Sequence, residues 1–114
     1  MIDRKVFDEQ YKIFDKEFIV ELIDMFLNDY KDRFKLLHND VEAMNFPSLQ
    51  FNSHSLKGVI ANFWDPVTTE LSKRLNDMAK NEIQSGLKKS LDELEAKTEI
   101  LIEELKALKR EFTA

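Results

Sequence analysis

The chain has 114 residues and a mass of 13.5 kDa, which is enough for one modest hydrophobic core and predicts a single domain over residues 1–114. Apolar residues make up 43% of the sequence and charged residues 34%, a balance that argues against a disordered chain. The net charge is -5 and no dense basic patch occurs, which argues against nucleic acid as a partner. The sequence has no cysteine, no signal peptide and no apolar run near the roughly 20 residues that span a bilayer, so we expect a cytoplasmic protein that does not bind membranes.

The first two predicted helices meet at Asp15, which is a plausible N-cap. Residues 1–14 predict a short lead-in helix with Val6, Phe7, Tyr11 and Phe14 available for packing. Residues 16–44 predict a long amphipathic helix, because apolar residues recur at spacings of three and four. Its predicted core positions are Phe18, Leu22, Met25 or Phe26, Tyr30, Phe34, Leu37 and Val41.

Two cap-and-proline sequences start the next helices. Asn45 can cap a helix over residues 46–63, in which Pro47 is tolerated in the first turn. The pair Asp65-Pro66 repeats this pattern. The helix that follows has an apolar series that ends near Ala79, and a glycine lies in the next connection. That series consists of Val67, Leu71, Leu75 and Met78, and the glycine is Gly86.

The last predicted helix has the most regular pattern. Its core positions keep a four-three spacing that only Thr98 interrupts, and they are Leu87, Leu91, Leu94, Thr98, Leu101, Leu105, Leu108 and Phe112. No stretch shows the two-residue alternation of a strand, so the predicted class is all-α: an antiparallel up-down four-helix bundle with a short N-terminal lead-in helix. The same heptads could form a coiled-coil dimer, but this would leave the other apolar faces uncovered, and we expect a monomer.

The helix over residues 46–63 has an unusual polar face. Leu49, Leu56, Val59, Ile60 and Phe63 fall on its core side, whereas the opposite side carries Pro47, Gln50, Phe51, His54, Lys57, Gly58 and Ala61. Glycine in a helix is about 1 kcal/mol less stable than alanine, and the chain has only two glycines. Because Lys57 and Gly58 follow His54 by three and four residues, they lie beside its ring. Another protein could therefore approach the imidazole, and the ammonium could neutralise an anion there.

These residues resemble a known motif. His54-Ser55-Leu56-Lys57-Gly58, followed by Ala61-Asn62-Phe63, is similar to the sequence His-x-Leu-Lys-Gly-Ser-Ser-Ala-Asn-Ile-Gly of histidine-containing phosphotransfer (HPt) domains of two-component phosphorelays. The resemblance implies the bundle fold over about residues 15–112. It also implies that His54 is the phosphoryl acceptor, Lys57 the phosphate-neutralising residue and Gly58 the access glycine. Val59 and Ile60 depart from small residues of the motif, and Trp64 departs from a glycine.

The resemblance implies a phosphorelay function. The chain would take a phosphoryl group from the phospho-aspartate of a receiver domain and return it to another receiver. The partners would be response-regulator receiver domains, with a hybrid sensor histidine kinase as a further candidate. The docking surface would centre on Gly58, with Gln50, Phe51, Lys57 and Ala61 around it. Mg²⁺ would come from the receiver, and the chain would need no cofactor of its own.

Several alternatives stay open at this stage. No nucleotide-binding loop occurs, so the chain is expected to be a phosphoryl carrier without kinase activity. A non-catalytic helical adaptor, either a degenerate HPt-like domain or a coiled-coil interaction module, is the alternative function. Phe51 would either contact a partner or pack against a neighbouring helix. His38 is expected at the core boundary, and no metal-site pattern is present.

Overall fold

The computed structural model describes residues 1–114 and contains helices but no strand. The helices are α1 (Arg4–Tyr11), α2 (Lys16–Glu42), α3 (Phe46–Ile60), α4 (Pro66–Lys80) and α5 (Leu87–Thr113). A 3₁₀ turn, Ala61–Phe63, continues α3. The all-α prediction is confirmed, although α1 is shorter than residues 1–14, α2 ends before residue 44 and the last turn of α3 is 3₁₀. No helix combines the length and the hydrophobicity that a membrane-spanning segment requires.

Side-chain caps fix where four of the helices begin. The carboxylates of Asp3, Asp15 and Asp65 and the amide oxygen of Asn45 each accept a hydrogen bond from a backbone N–H in the first turn. Such a cap satisfies a donor that has no partner within the helix. Helix α5 instead begins after Gly86, whose φ of 76° lies in the left-handed region. The caps at residues 15, 45 and 65 were predicted from the sequence.

Helices α2 to α5 form the predicted up-down bundle, in which each helix contacts its two neighbours around a ring. Polar contacts link neighbouring helices of this bundle. The Arg33 guanidinium of α2 donates to the Ser55 hydroxyl of α3, and Arg74 of α4 pairs with Glu93 of α5 at 2.8 Å. The Nε2 atom of His38 in α2 lies 2.9 Å from a carboxylate oxygen of Glu95 in α5, which links the last helix of the bundle to the first. The bundle measures 44 × 23 × 20 Å.

The heptad positions of α5 are buried as predicted, with Phe112 partly buried. The Thr98 hydroxyl is also buried, and it donates to the Leu94 carbonyl 2.7 Å away in its own helix. A polar residue is therefore accommodated in the core without an unpaired donor.

Two residues at helix starts contradict the predicted core. Phe18 is 41% exposed, and its ring stacks on that of Phe14, which is itself 44% exposed, with ring centroids 4.8 Å apart. Val67 is 43% exposed in the first turn of α4. In α2, Phe26 is buried and Met25 is 63% exposed, which decides between the two predicted positions. First-turn residues lie at the end of the bundle, where fewer neighbouring helices cover them.

Helix α1 closes the end of the bundle that holds the C-terminus of α3. Its Phe7 is buried and lies 6.5 Å from the ring of Phe112. The Tyr11 hydroxyl donates to the Asn62 carbonyl at 2.8 Å, and the Asp3 backbone N–H donates to the Trp64 carbonyl at 2.8 Å. Helix α1 therefore anchors the turn that follows α3.

The Tyr11 hydrogen bond makes the stability of this end sensitive to alkaline pH. Burial raises the pKa of Tyr11 above its ordinary value of about 10. The stabilisation is fully present below that ordinary value and is lost as the pH rises through the higher folded-state pKa, because a phenolate cannot donate. We expect Tyr11→Phe to lower the free energy of unfolding by about 1 kcal/mol at neutral pH. Above a pH of about 10, the free energy of unfolding should fall less steeply with pH in this variant than in the original chain. Urea unfolding at several pH values measures both effects, and equal alkaline declines in the two proteins would contradict the assignment.

Candidate phosphoacceptor site

The outward face of α3 brings the predicted site residues together. His54, Gln50, Gly58 and Ala61 are exposed, and Phe51 is 75% exposed, so its ring does not pack against a neighbouring helix. A Cβ atom built on Gly58 would meet no atom within 4 Å. The imidazole of His54 thus lies on an open surface beside a position with no side chain.

Buried residues on the opposite face hold α3 in place. Leu56 and Ile60 are fully buried and Leu49 nearly so, as the pattern predicted. The buried carboxylate of Asp40 in α2 accepts hydrogen bonds from the Ser48 hydroxyl at 2.6 Å and the Asn52 amide at 2.7 Å. These hydrogen bonds hold the first half of α3, the helix that carries His54, against α2.

We predicted Lys57 on the exposed side of α3, together with His54. In the structure Lys57 is half-buried and its side chain lies towards α4. Its ammonium donates to the side-chain oxygen of Asn76 over 3.4 Å. Sequence reasoning did not identify Asn76, which is fully buried in α4. The available signal was the four-residue spacing of Thr68, Ser72 and Asn76, which puts small polar side chains on one face of an amphipathic helix.

Trp64 departs from the motif in residue type but keeps a backbone conformation that glycine adopts freely. Its φ of 56° and ψ of 41° are left-handed, which disfavours a residue with a side chain by roughly 1–2 kcal/mol. The hydrogen bond from the Asp3 N–H to its carbonyl helps to hold this conformation. The two other departures, Val59 and Ile60, are half-buried and buried, so they affect packing rather than the exposed face.

The second histidine lies outside this face. His38 is half-buried at the core boundary, as expected, and its Nε2 is 2.9 Å from the Glu95 carboxylate. Asp92 brings a third potential ligand atom within 4.8 Å, but its carboxylate pairs with the Lys88 ammonium at 2.6 Å. Each of these three side chains thus has an ionic or hydrogen-bonding partner within the protein.

Sequence comparisons give no relatives: no protein-family model matches the chain, and no curated protein matches it significantly. Structure comparison does find a similar fold. The chain resembles the crystal structure of histidine-containing phosphotransfer protein B (HptB) from Pseudomonas aeruginosa PAO1, with a TM-score of 0.86. The similarity covers 96% of this chain and 95% of that chain, at 22% sequence identity.

The fold is therefore that of a histidine-containing phosphotransfer protein, and the fold resemblance predicted from the motif is confirmed. The agreement extends over nearly the whole length of both chains, so the short α1 is included. The roles of His54, Lys57 and Gly58 stay predictions, which rest on the motif and on the geometry of α3.

Proposed function

We propose that the chain is a phosphoryl carrier in a two-component phosphorelay. His54 accepts a phosphoryl group from the phospho-aspartate of a receiver domain and passes it to the aspartate of another receiver. The observation that supports this most is the exposed imidazole next to Lys57 and Gly58 on one helix of a phosphotransfer fold. A hybrid sensor histidine kinase is a further candidate source of such a receiver.

The chemistry requires little of this chain beyond positioning and charge. A neutral imidazole nitrogen of His54 attacks the phosphorus in line, so that an N–P bond forms while the P–O bond to the aspartyl carboxyl group breaks. The aspartate carboxylate leaves, and the reverse reaction at a second receiver regenerates the imidazole. Lys57 balances part of the negative charge of the transferring phosphoryl group. The receiver supplies Mg²⁺, since none of the neighbouring face residues Gln50, Phe51, Gly58 and Ala61 is a carboxylate.

The same face supplies the docking surface. Gly58 leaves open space in front of the helix, and Ala61 adds only a methyl group. Phe51 offers an exposed apolar ring, and Gln50 offers an amide to a partner. A carrier must release each receiver after transfer, so a small interface of the transient class fits the function.

The direct test is transfer from a charged receiver. A purified receiver domain phosphorylated with acetyl phosphate and Mg²⁺ is freed of excess donor and mixed with the chain. We expect the chain to gain phosphate that is labile in acid and stable in base, as a phosphoramidate is, and to lose it to a second, uncharged receiver. Binding of the receiver without labelling would support the alternative of a non-catalytic adaptor.

A further inference from the structure

The contact between α3 and α4 is polar at its centre. Ser53, Thr68, Ser72 and Asn76 are each at most 1% exposed. The side-chain nitrogen of Asn76 donates to the Gln50 carbonyl at 3.1 Å and to the Ser53 hydroxyl at 3.0 Å. The Ser53 hydroxyl in turn donates to the Gln50 carbonyl at 3.3 Å. Both amide hydrogens of Asn76 therefore have acceptors on α3.

These partners determine which way the Asn76 amide points. A backbone carbonyl can only accept a hydrogen bond, so the nitrogen of the amide must face Gln50. The amide oxygen then faces the other way, where the Lys57 ammonium lies 3.4 Å from it. A flipped amide would place an oxygen against the Gln50 carbonyl and a nitrogen against a cation, and both contacts would be repulsive.

Lys57 differs from the lysines whose ammonium groups are ion-paired. Those groups contact carboxylates within 4 Å, and they belong to Lys12, Lys88, Lys106 and Lys109. Lys57 contacts a neutral amide oxygen instead, so its positive charge is not balanced by a neighbouring anion. An ammonium has three N–H donors, and one bond to Asn76 leaves two for phosphoryl oxygens.

We infer that Asn76 is a positioning residue that holds the Lys57 ammonium beside His54 while leaving its charge unneutralised. The inference rests on the proposed function, because it assigns a role within the same site. Asn76 is buried and acts through Lys57, without touching the phosphoryl group. A flexible four-carbon side chain loses less freedom during transfer when one bond already restricts it.

Single-turnover transfer from a phosphorylated receiver tests this inference. We expect Asn76→Leu, which has similar size but no amide, to lower the maximal rate about tenfold. The receiver concentration that gives half of that rate should change less than about twofold, because Asn76 does not lie on the docking face. Ser72→Ala is the matched control: Ser72 is buried one turn earlier on the same face of α4, and its hydroxyl bonds only to the Thr69 carbonyl. That variant should transfer at the original rate.

A double substitution separates positioning from general damage to the α3–α4 contact. In a Lys57→Met background, Asn76→Leu should cause no further loss of rate, since the group that it positions is absent. An equal loss in both backgrounds, or no loss in either, would overturn the inference. If Asn76→Leu does not give the helical circular dichroism of the original chain, Asn76→Ser serves instead, because its hydroxyl can donate to α3 but is too short to reach Lys57. Absence of labelling in the unaltered chain would refute the proposed function itself, a separate outcome.

Discussion

Replacing His54 by glutamine is expected to abolish phosphoryl transfer to the chain while leaving the bundle folded. Glutamine has no nucleophilic ring nitrogen, so labelling by a phosphorylated receiver should fall below detection. The side chains of α3 that form hydrogen bonds include Ser53, Ser55 and Lys57 but not His54. Because His54 is exposed, the free energy of unfolding should change by less than about 0.5 kcal/mol. Phosphate transfer and urea unfolding measure the two effects.

The second histidine provides the control for this substitution. His38→Gln removes the half-buried ring that contacts Glu95, so we expect it to reduce stability by about 1 kcal/mol and to leave labelling intact. The substitution at His54 should thus affect phosphoryl transfer and not stability, whereas the substitution at His38 should affect stability and not transfer. Full labelling of the His54→Gln protein, or loss of labelling only in His38→Gln, would contradict the proposed site.

Replacing Gly58 by leucine should have opposite effects on stability and transfer. A Cβ atom at this position would meet no atom within 4 Å in the free protein, so the higher helix propensity of leucine should raise the free energy of unfolding by about 0.8 kcal/mol. The same side chain would lie beside His54, where a receiver must approach, and the transfer rate should fall at least about tenfold. Gly58→Ala should gain similar stability with a smaller loss of rate. Unchanged transfer by the leucine variant would show that the open space is not needed for access.

The other glycine serves as a contrast because it has a different structural reason. Gly86 adopts a φ of 76° before α5, where a side chain is strained although no atom blocks it. Gly86→Ala should therefore reduce stability by about 1 kcal/mol and leave transfer unchanged. Gly58 lies within α3 and has no such backbone requirement, so backbone conformation does not explain why this position is a glycine. Access to His54 is the explanation that we propose.

The sequence predicted best those features that depend on local periodicity. The heptads of α5 gave the correct buried face, because neighbouring helices cover α5 along most of its length. Periodicity failed at Phe18 and Val67, since a pattern does not show where the bundle ends. The exposed face of α3 was also predictable, because residues three and four apart share a face wherever a helix lies.

Contacts between distant residues could not be predicted in this way. Asp40 bonds to α3 and Asn76 bonds to Lys57, yet each partner comes from another helix. The spacing that includes Asn76 marks a polar face of α4, but it does not show what that face contacts. Trp64 shows a different limit. The residue type departs from the glycine of the motif, whereas the backbone keeps a left-handed conformation that a glycine would adopt. Tertiary contacts from α1 help to sustain it.

The central claim is that one imidazole carries the phosphoryl group, and locating the phosphate tests this most directly. The chain is charged by a phosphorylated receiver, kept at alkaline pH to preserve the N–P bond, and fragmented by electron-transfer mass spectrometry. The proposed function predicts a single phosphate on His54 and none on His38. Phosphate on a serine, a threonine or the other histidine, or a receiver that hydrolyses without labelling the chain, would contradict it.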